Sequence, residues 1–453
     1  MLPQKGDAPI AHGKEVWMKR RALALDLIRF RVHPYPRRMA DFGSPRRASW
    51  RRSGSAVAEL SAQSKHALAG RTILQIVPEL RSGGAERATI EIAAALAAIG
   101  ARPLVASSGG RLVSELQAKG GIWYPFPAET KNPLAMLVNR HRLVDLIHAE
   151  DVALVHARSR APAWVAYWAT RKTGTPFVTT FHGAYSGTSG LKKSYNSIMA
   201  KGDVVIANSH FTAERIAHLY PSSRAKIRVI HRGVDLRAFS PDAVNPERVQ
   251  ALRQAWGVAP GERIVLLAAR LSPWKGHKIL IEAARQLVSA GLADIKFILA
   301  GDEKARGTFI KEVDAAIAGA GLFGIVRRTG YCGDMPAALL AASVVVVPST
   351  EPEAFGRVAA EAQAMGTPVV VSDLGALPEV VLAPPDVEAA ARTGWRVTPS
   401  DARALAGAII EALALGASAR DELSARARSH IFDRFSVTRM QAETLDAYAA
   451  LLA

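Results

Sequence analysis

The chain has 453 residues, enough for about two to three domains, and 49% of them are apolar, which excludes wholesale disorder. Its single cysteine, Cys332, excludes an internal disulfide framework and a cysteine-built zinc site, and it fits a reducing compartment. The formal net charge of +18 is unevenly spread, with 14 Lys+Arg against 5 Asp+Glu in residues 1–70. No apolar run approaches the roughly 18 residues of a spanning helix.

Residues 1–70 show little helical or alternating period. Arg20-Arg21, Arg37-Arg38, Arg46-Arg47 and Arg51-Arg52 alternate with Pro34, Pro36 and Pro45. The expectation is a basic, disordered lead segment outside the fold, or a chain whose start lies later, at Met18 or Met39. The alternative is a basic arm for phospholipid or nucleic acid. Ala22–Phe30 is interrupted by Asp26 and Arg29, which argues against a secretory signal.

From Arg71 the pattern turns regular. Thr72–Val77, Arg102–Ala106, Ile122–Pro125, Val152–His156, Pro176–Thr180 and Asp203–Ala207 are short apolar runs that predict buried strands. Helical spacing falls between them at Ala85–Ile99, Leu134–Ala149 and Ser209–Leu219, the last with Ser209 as N-cap. Around Arg232–Gly261 the pattern lapses into Pro, Asp and Asn and predicts a linker. Alternation then resumes. Strands are predicted at Arg263–Ala269, Ile295–Ala300, Ile325–Arg328, Val344–Val347 and Pro368–Ser372. Helices are predicted at His277–Ala290, Gly307–Ala318, Met335–Ala342 and Phe355–Met365. A last amphipathic helix is predicted over Val437–Leu452. This is an α/β chain of two Rossmann-like parallel-sheet lobes with a cleft between them. The domains are set at 1–70 for the lead segment, 71–235 for the first lobe, 236–435 for the second and 436–453 for the last helix.

The candidate chemistry falls on strand ends. Glu353-Ala-Phe-Gly-Arg-Val-Ala-Ala-Glu361 follows strand Val344–Val347 and opens a helix near Phe355-Gly356, where unpaired N–H groups and the helix dipole favour an anion. Gly356 lets a phosphate approach. Glu353 can accept bonds from sugar hydroxyls, and Glu361, about two turns along, from a ribose. Arg270-Leu-Ser-Pro-Trp-Lys275-Gly276 ends another strand of the same lobe and supplies two cations for phosphate. Together the two segments are complementary parts of a nucleotide-diphosphate site. In the first lobe, Gly83-Gly84-Ala85-Glu86 is a candidate close-approach loop, and Phe181-His182-Gly183 places a histidine at a strand end. His156 and Arg158 are weaker cleft candidates. Gly330-Tyr-Cys332-Gly-Asp334 could meet a nucleobase, or be a structural turn.

These motifs resemble those of the retaining GT-B glycosyltransferases of family four (glycosyl transferases group 1). Val229-Ile-His-Arg-Gly233-Val-Asp235, Ala300-Gly301-Asp302 and Gly366-Thr-Pro-Val369 join the segments above in the family's order over Arg71–Ala453. The resemblance implies that Arg270 and Lys275 neutralise the leaving diphosphate. It implies that Glu353 contacts the donor sugar, that Phe355 and Gly356 offer backbone contacts, and that Glu361 binds ribose. His182 would touch the sugar, Gly84 would let its loop approach the donor phosphate, and the last helix would cross back onto the first lobe. Retention at the anomeric carbon and no required metal or cofactor are implied as well. Two positions depart from the family: Glu303 follows Asp302, and His231-Arg232 stands where Pro-Asn is frequent.

The expected function is transfer of a sugar, of hexosyl type, from a nucleotide-diphosphate sugar to a cell-envelope glycan or lipid-linked acceptor such as a bacterial lipopolysaccharide core. Nucleotide sugar and acceptor are the expected partners, without nucleic acid. The expected location is cytoplasmic, with peripheral contact to an anionic inner-membrane face compatible with the basic balance. The alternatives are a nucleotide-sugar epimerase on the same plan, which would turn over donor alone, and a glycan- or nucleic-acid-binding protein using the basic lead segment.

Overall fold

The computed structural model describes residues 61–81, 83–183, 190–302 and 307–453; residues 1–60 of the lead segment and Glu303 lie outside them. Two all-parallel sheets organise the chain. The first has seven strands: β1 Thr72–Ile76, β2 Arg102–Ser107, β3 Ile122–Pro125, β4 Val152–Ala157, β5 Phe177–Phe181, β6 Val204–Ala207 and β7 Ile227–Val229, in the order β3-β2-β1-β4-β5-β6-β7. The second has six: β8 Arg263–Ala268, β9 Ile295–Ala300, β10 Val326–Gly330, β11 Val344–Val347, β12 Val369–Ser372 and β13 Trp395–Val397, in the order β10-β9-β8-β11-β12-β13. Each order reverses once, between β1 and β4 and between β8 and β11. Ligands of open α/β sheets bind at such reversals, beyond the carboxyl ends of the strands.

Period-two alternation explains why both sheets are buried on two faces. Ile264, Leu266, Val345, Val347, Val369 and Val371 enter one core of the second lobe, while Val265, Leu267, Val344, Val346 and Val370 enter the opposite one. In the first lobe, Leu74, Ile76, Val155 and Ala157 face one core. Ile73, Leu154, Val178 and Ile206 face a second core that is closed by Met440, Leu445 and Tyr448 of the helix Val437–Leu452. The last helix therefore covers the first lobe, although the preceding helix Ala417–Phe435 packs on the second.

The chain crosses between lobes twice, and the two crossings pair with each other. Val234 N–H donates to the Phe435 carbonyl at 2.7 Å, and Val437 N–H donates to Val234 at 3.0 Å. Gly233 permits this, because a Cβ there would lie 2.3 Å from the Val437 Cα.

Two expectations are corrected. The segment set apart as residues 1–70 reaches into the fold: Ser61 caps a helix at Ala62–Leu68, Leu68 is fully buried, and the Ser64 hydroxyl donates to Asp446 of the last helix at 2.5 Å. A short polar helix carries little periodic signal, and its burial depends on a partner almost 400 residues away. The linker at Arg232–Gly261 likewise contains a helix, Pro246–Ala255, capped by Asn245. It packs Val249 and Leu252 on the second-lobe core, and Trp256 and Val258 are buried just after it. Among the described residues, no single helix is long and apolar enough to cross a membrane.

Candidate active site

The β8 and β11 ends of the second lobe are fastened together. Beyond β8 the chain makes a turn at Pro273–Lys275 and enters the helix His277–Ser289 through Gly276, which holds φ 76°. No other residue fits there, because a Cβ would lie 1.8 Å from the Pro348 carbonyl oxygen of the β11 loop. Thr350 N–H donates to the Trp274 carbonyl at 2.8 Å and closes the join. Lys275 and Glu353 thereby meet as an ion pair, Nζ to Oε1 at 2.5 Å. The same carboxylate oxygen accepts from Ser349 Oγ at 2.7 Å. Lys275 Nζ also lies 4.0 Å above the Trp274 ring. Arg270 is exposed at the end of β8.

The helix expected from Phe355 runs over Arg357–Ala364, with Gly356 as its N-cap at φ 96°. Phe355 is buried and stacks edge-on against Phe435, 5.5 Å between centroids, so only its backbone can serve a ligand. Arg357 stands at the first helical position, where the helix dipole disfavours a cation. An anion at this helix start would relieve that conflict.

From the first lobe, Gly84 opens the helix Gly84–Ala98 and His182 follows β5. Arg232 joins them. Its Nη1 donates to the Gly84 carbonyl, and its Nη2 lies 2.5 Å from His182 Nδ1. A Cβ on Gly84 would lie 3.0 Å from that guanidinium. Arg232 is only 7% exposed. Burial, reinforced by the charge of Arg357, pulls its pKa down to about 9, which still leaves it protonated at neutral pH. Burial together with the charges of Arg232 and Arg158 holds His182 well below the usual histidine value, so it is neutral. With Nδ1 accepting, the ring proton belongs on Nε2. That Nε2 and the buried Asn208 Oδ1 have no hydrogen-bond partner among the described residues. Unsatisfied buried polar atoms in a cavity wall are where ligand bonds are expected.

One cleft of about 570 Å³ between the lobes is lined by Gly83, Gly84, His182, Asn208 and Arg232 on one side and by Arg270, Lys275, Glu353, Phe355, Gly356 and Arg357 on the other. Eight of the sequence-derived candidates are thus brought together. Four are not: Glu361, Cys332, His156 and Arg158. Glu361 is 6% exposed and pairs with Arg357 at 2.8 Å, away from the cleft wall. Cys332 packs against the second-lobe core with its sulfur 3.6 Å from the Asp334 carbonyl, and burial pushes its thiol pKa up. Its neighbour Tyr331 instead lines a second interlobe cavity with Arg81 and Arg111.

His156 and Arg158 are also corrected. Both are buried inside the first lobe. His156 has the parity of Leu154 on β4, the face covered by the last helix, and it bonds Tyr448 Oη at 2.5 Å and Thr180 Oγ1 at 2.7 Å. Arg158 grips Gln75 Oε1 at 2.9 and 2.6 Å. Sequence reasoning passed over Arg232, Arg357 and Asn208. The signal for Arg357 was its dipole-opposed place at a helix start, and for Arg232 its departure from the family's Pro-Asn.

Two parallel-sheet lobes closing on a cation-lined cleft define a GT-B enzyme. A Glycosyltransferase Family 4 model matches residues 82–238, and a Glycosyl transferases group 1 model matches residues 249–430. The crystal structure of a glycosyltransferase from Rickettsia africae ESF-5 superposes with a TM-score of 0.76 at 35% identity, covering 84% of this chain and 98% of that one. Anabaena HepE in complex with UDP-glucose gives a TM-score of 0.71 at 28% identity, covering 83% of this chain and 99% of that one. D-inositol 3-phosphate glycosyltransferase of Mycobacterium sp. strain KMS is 35% identical over 189 residues, 41% of this chain and 40% of the relative's length. The chain belongs to the GT-B glycosyltransferases of glycosyl transferases group 1.

Proposed function

We propose that this enzyme transfers a hexosyl group, with retention, from a UDP-type nucleotide-diphosphate sugar to a hydroxyl of a cell-envelope glycan or lipid-linked acceptor. The observation that carries this reading is the Lys275–Glu353 pair beside Arg270, facing Gly84, His182 and Arg232 across one cleft. HepE, whose structure holds UDP-glucose, supports the donor class. The relatives named for inositol 3-phosphate support a hydroxyl-rich acceptor.

In this reading the diphosphate lies between Arg270, Lys275 and the helix start at Gly356-Arg357, with the Gly84 loop against it. The bond from C1 to the phosphate oxygen breaks, and its electron pair leaves with the diphosphate. The sugar becomes oxocarbenium-like, and the acceptor oxygen bonds C1 on the face being vacated. The acceptor's proton passes to the departing phosphate oxygen, which gives retention without a protein nucleophile. Fixed cations and N–H groups stabilise the growing charge, the work a divalent metal would otherwise do. Glu353 and the Nε2–H of His182 bind sugar hydroxyls. Glu361 would reach a ribose only after exchanging its bond to Arg357. The acceptor enters from the first-lobe side, at a membrane face if it is lipid-linked.

Thermal stabilisation by UDP-, GDP-, ADP- and dTDP-sugars identifies the donor, because occupancy of the folded state raises stability. Incubation of that donor in EDTA with lipid-linked saccharides, lipopolysaccharide core and inositol phosphate then tests transfer, with the product's anomeric configuration read by NMR. An inverted product or a requirement for added metal would overturn the corresponding part. Conversion of donor without acceptor would favour the epimerase.

A further inference from the structure

Beside the paired crossings, three side chains with metal-binding atoms converge from both lobes. His231 belongs to the first-lobe loop after β7, His210 opens the helix His210–Leu219, and Glu379 lies in the second-lobe helix Leu377–Val380. His231 Nε2 is 3.2 Å from Glu379 Oε2. The His210 and His231 rings lie 5.4 Å apart. One ligand atom from each of the three residues falls within 4.8 Å of the others.

We propose that His210, His231 and Glu379 form a binding site for a divalent transition metal of the zinc type, which ties the two lobes together at the hinge. Bonds of about 2.0–2.1 Å from a histidine nitrogen and a carboxylate oxygen would span the 3.2 Å His231–Glu379 separation with an angle of about 100° at the ion, close to tetrahedral. His210 is exposed at the rim, and a side-chain rotation brings its nitrogen into the third position. The fourth faces solvent and takes water. Two imidazoles and one carboxylate are a zinc donor set, whereas magnesium and calcium prefer oxygen alone.

The surrounding contacts orient these ligands, as outer contacts do in metal sites. The Glu379 carboxylate accepts from the backbone N–H of His210 at 2.8 Å and of Phe211 at 2.7 Å, which fixes its plane. The Phe435 ring stands edge-on to His231 at 5.1 Å and limits its rotation. A doubly charged ion would be held by one nitrogen of each imidazole and by the carboxylate together. His210, His231 and Glu379 are not among the residues that line the donor cleft, so the site does not depend on the proposed function.

Full-length protein stripped with EDTA and dialysed is titrated with ZnCl2 by calorimetry, and retained zinc is measured after gel filtration. One saturable equivalent at micromolar affinity or better is expected, with a rise in melting temperature on adding zinc. Both are expected to vanish in His210→Ala while its far-ultraviolet circular dichroism spectrum stays that of the parent. His148→Ala, at an exposed position elsewhere, should keep both. Cobalt substitution should give the visible absorption of a tetrahedral ion in the parent and not in His210→Ala. Absence of a saturable equivalent, or an equivalent that survives in His210→Ala, overturns the site. A zinc-binding protein that transfers no sugar would overturn the proposed function alone.

Discussion

Arg232 Nη2 lies 2.5 Å from His182 Nδ1, while the same guanidinium holds the Gly84 carbonyl. One buried arginine therefore joins the two first-lobe elements that face the donor, sets the tautomer of His182, and adds positive charge to the cleft. The family's frequent asparagine at this position could do only part of this.

Arg232→Gln should lower kcat by about 10² or more, the typical effect of losing one donor that stabilises developing charge. The donor KM should change less, because the loss falls on the transition state rather than on binding. Steady-state kinetics with the identified donor checks this. An unchanged kcat would remove Arg232 from the proposed chemistry.

Arg270→Ala and Lys275→Ala should each reduce turnover by about 10²–10³, yet differ in stability. Arg270 is exposed, so its removal should change unfolding free energy by no more than about 0.5 kcal/mol. Lys275→Ala leaves the 11%-exposed Glu353 side chain without its cation, at a cost of about 1–3 kcal/mol. Urea denaturation of the two variants side by side distinguishes them.

Tyr448→Phe removes the hydroxyl that bonds His156 Nδ1. Leaving a buried nitrogen unsatisfied should cost about 1–3 kcal/mol. The loss should appear as weaker attachment of the last helix, seen as faster amide exchange in Val437–Leu452, with little effect on turnover.

Stability should fall on acidification below the ordinary histidine range. Burial holds His277 at about 4 and His156 well below 6.5. Between pH 6.5 and 4 the unfolded chain binds a proton at His277 that the folded chain does not, so unfolding free energy drops by about 1.4 kcal/mol per pH unit from this group. His156 adds to the fall in the same direction. The contribution is fully present above pH 6.5 and lost as pH falls through the folded values. Denaturant midpoints from pH 7.5 to 4.5 test the slope, and His277→Leu should make it shallower.

Strands Ile122–Pro125, Ile295–Ala300 and Val344–Val347 coincide with the runs predicted from sequence. For the last two the reason is burial on both faces, which demands an unbroken apolar run. β7, with only three residues at a sheet edge and a half-buried pattern, offered no such run. The helix Pro246–Ala255 has no fully buried residue, so its apolar signal was weak, although Asn245-Pro246 is a standard helix start. The diphosphate candidates were legible because strand ends, glycines and cations lie close together in the chain. Arg232 was not, because its partners Gly84 and His182 are 148 and 50 residues away.

The sequence by itself determined two alternating α/β lobes and the set of residues at their strand ends, since these depend on local periodicity and short-range motifs. Only the tertiary structure decided which of them share a cleft. It put Glu361 under Arg357 and turned His156 toward Tyr448. It also drew Ala62–Leu68 into the first lobe and set Arg232 between Gly84 and His182. Those outcomes depend on which face of a strand or helix another element covers, and that is settled when distant segments pack, not by their own patterns.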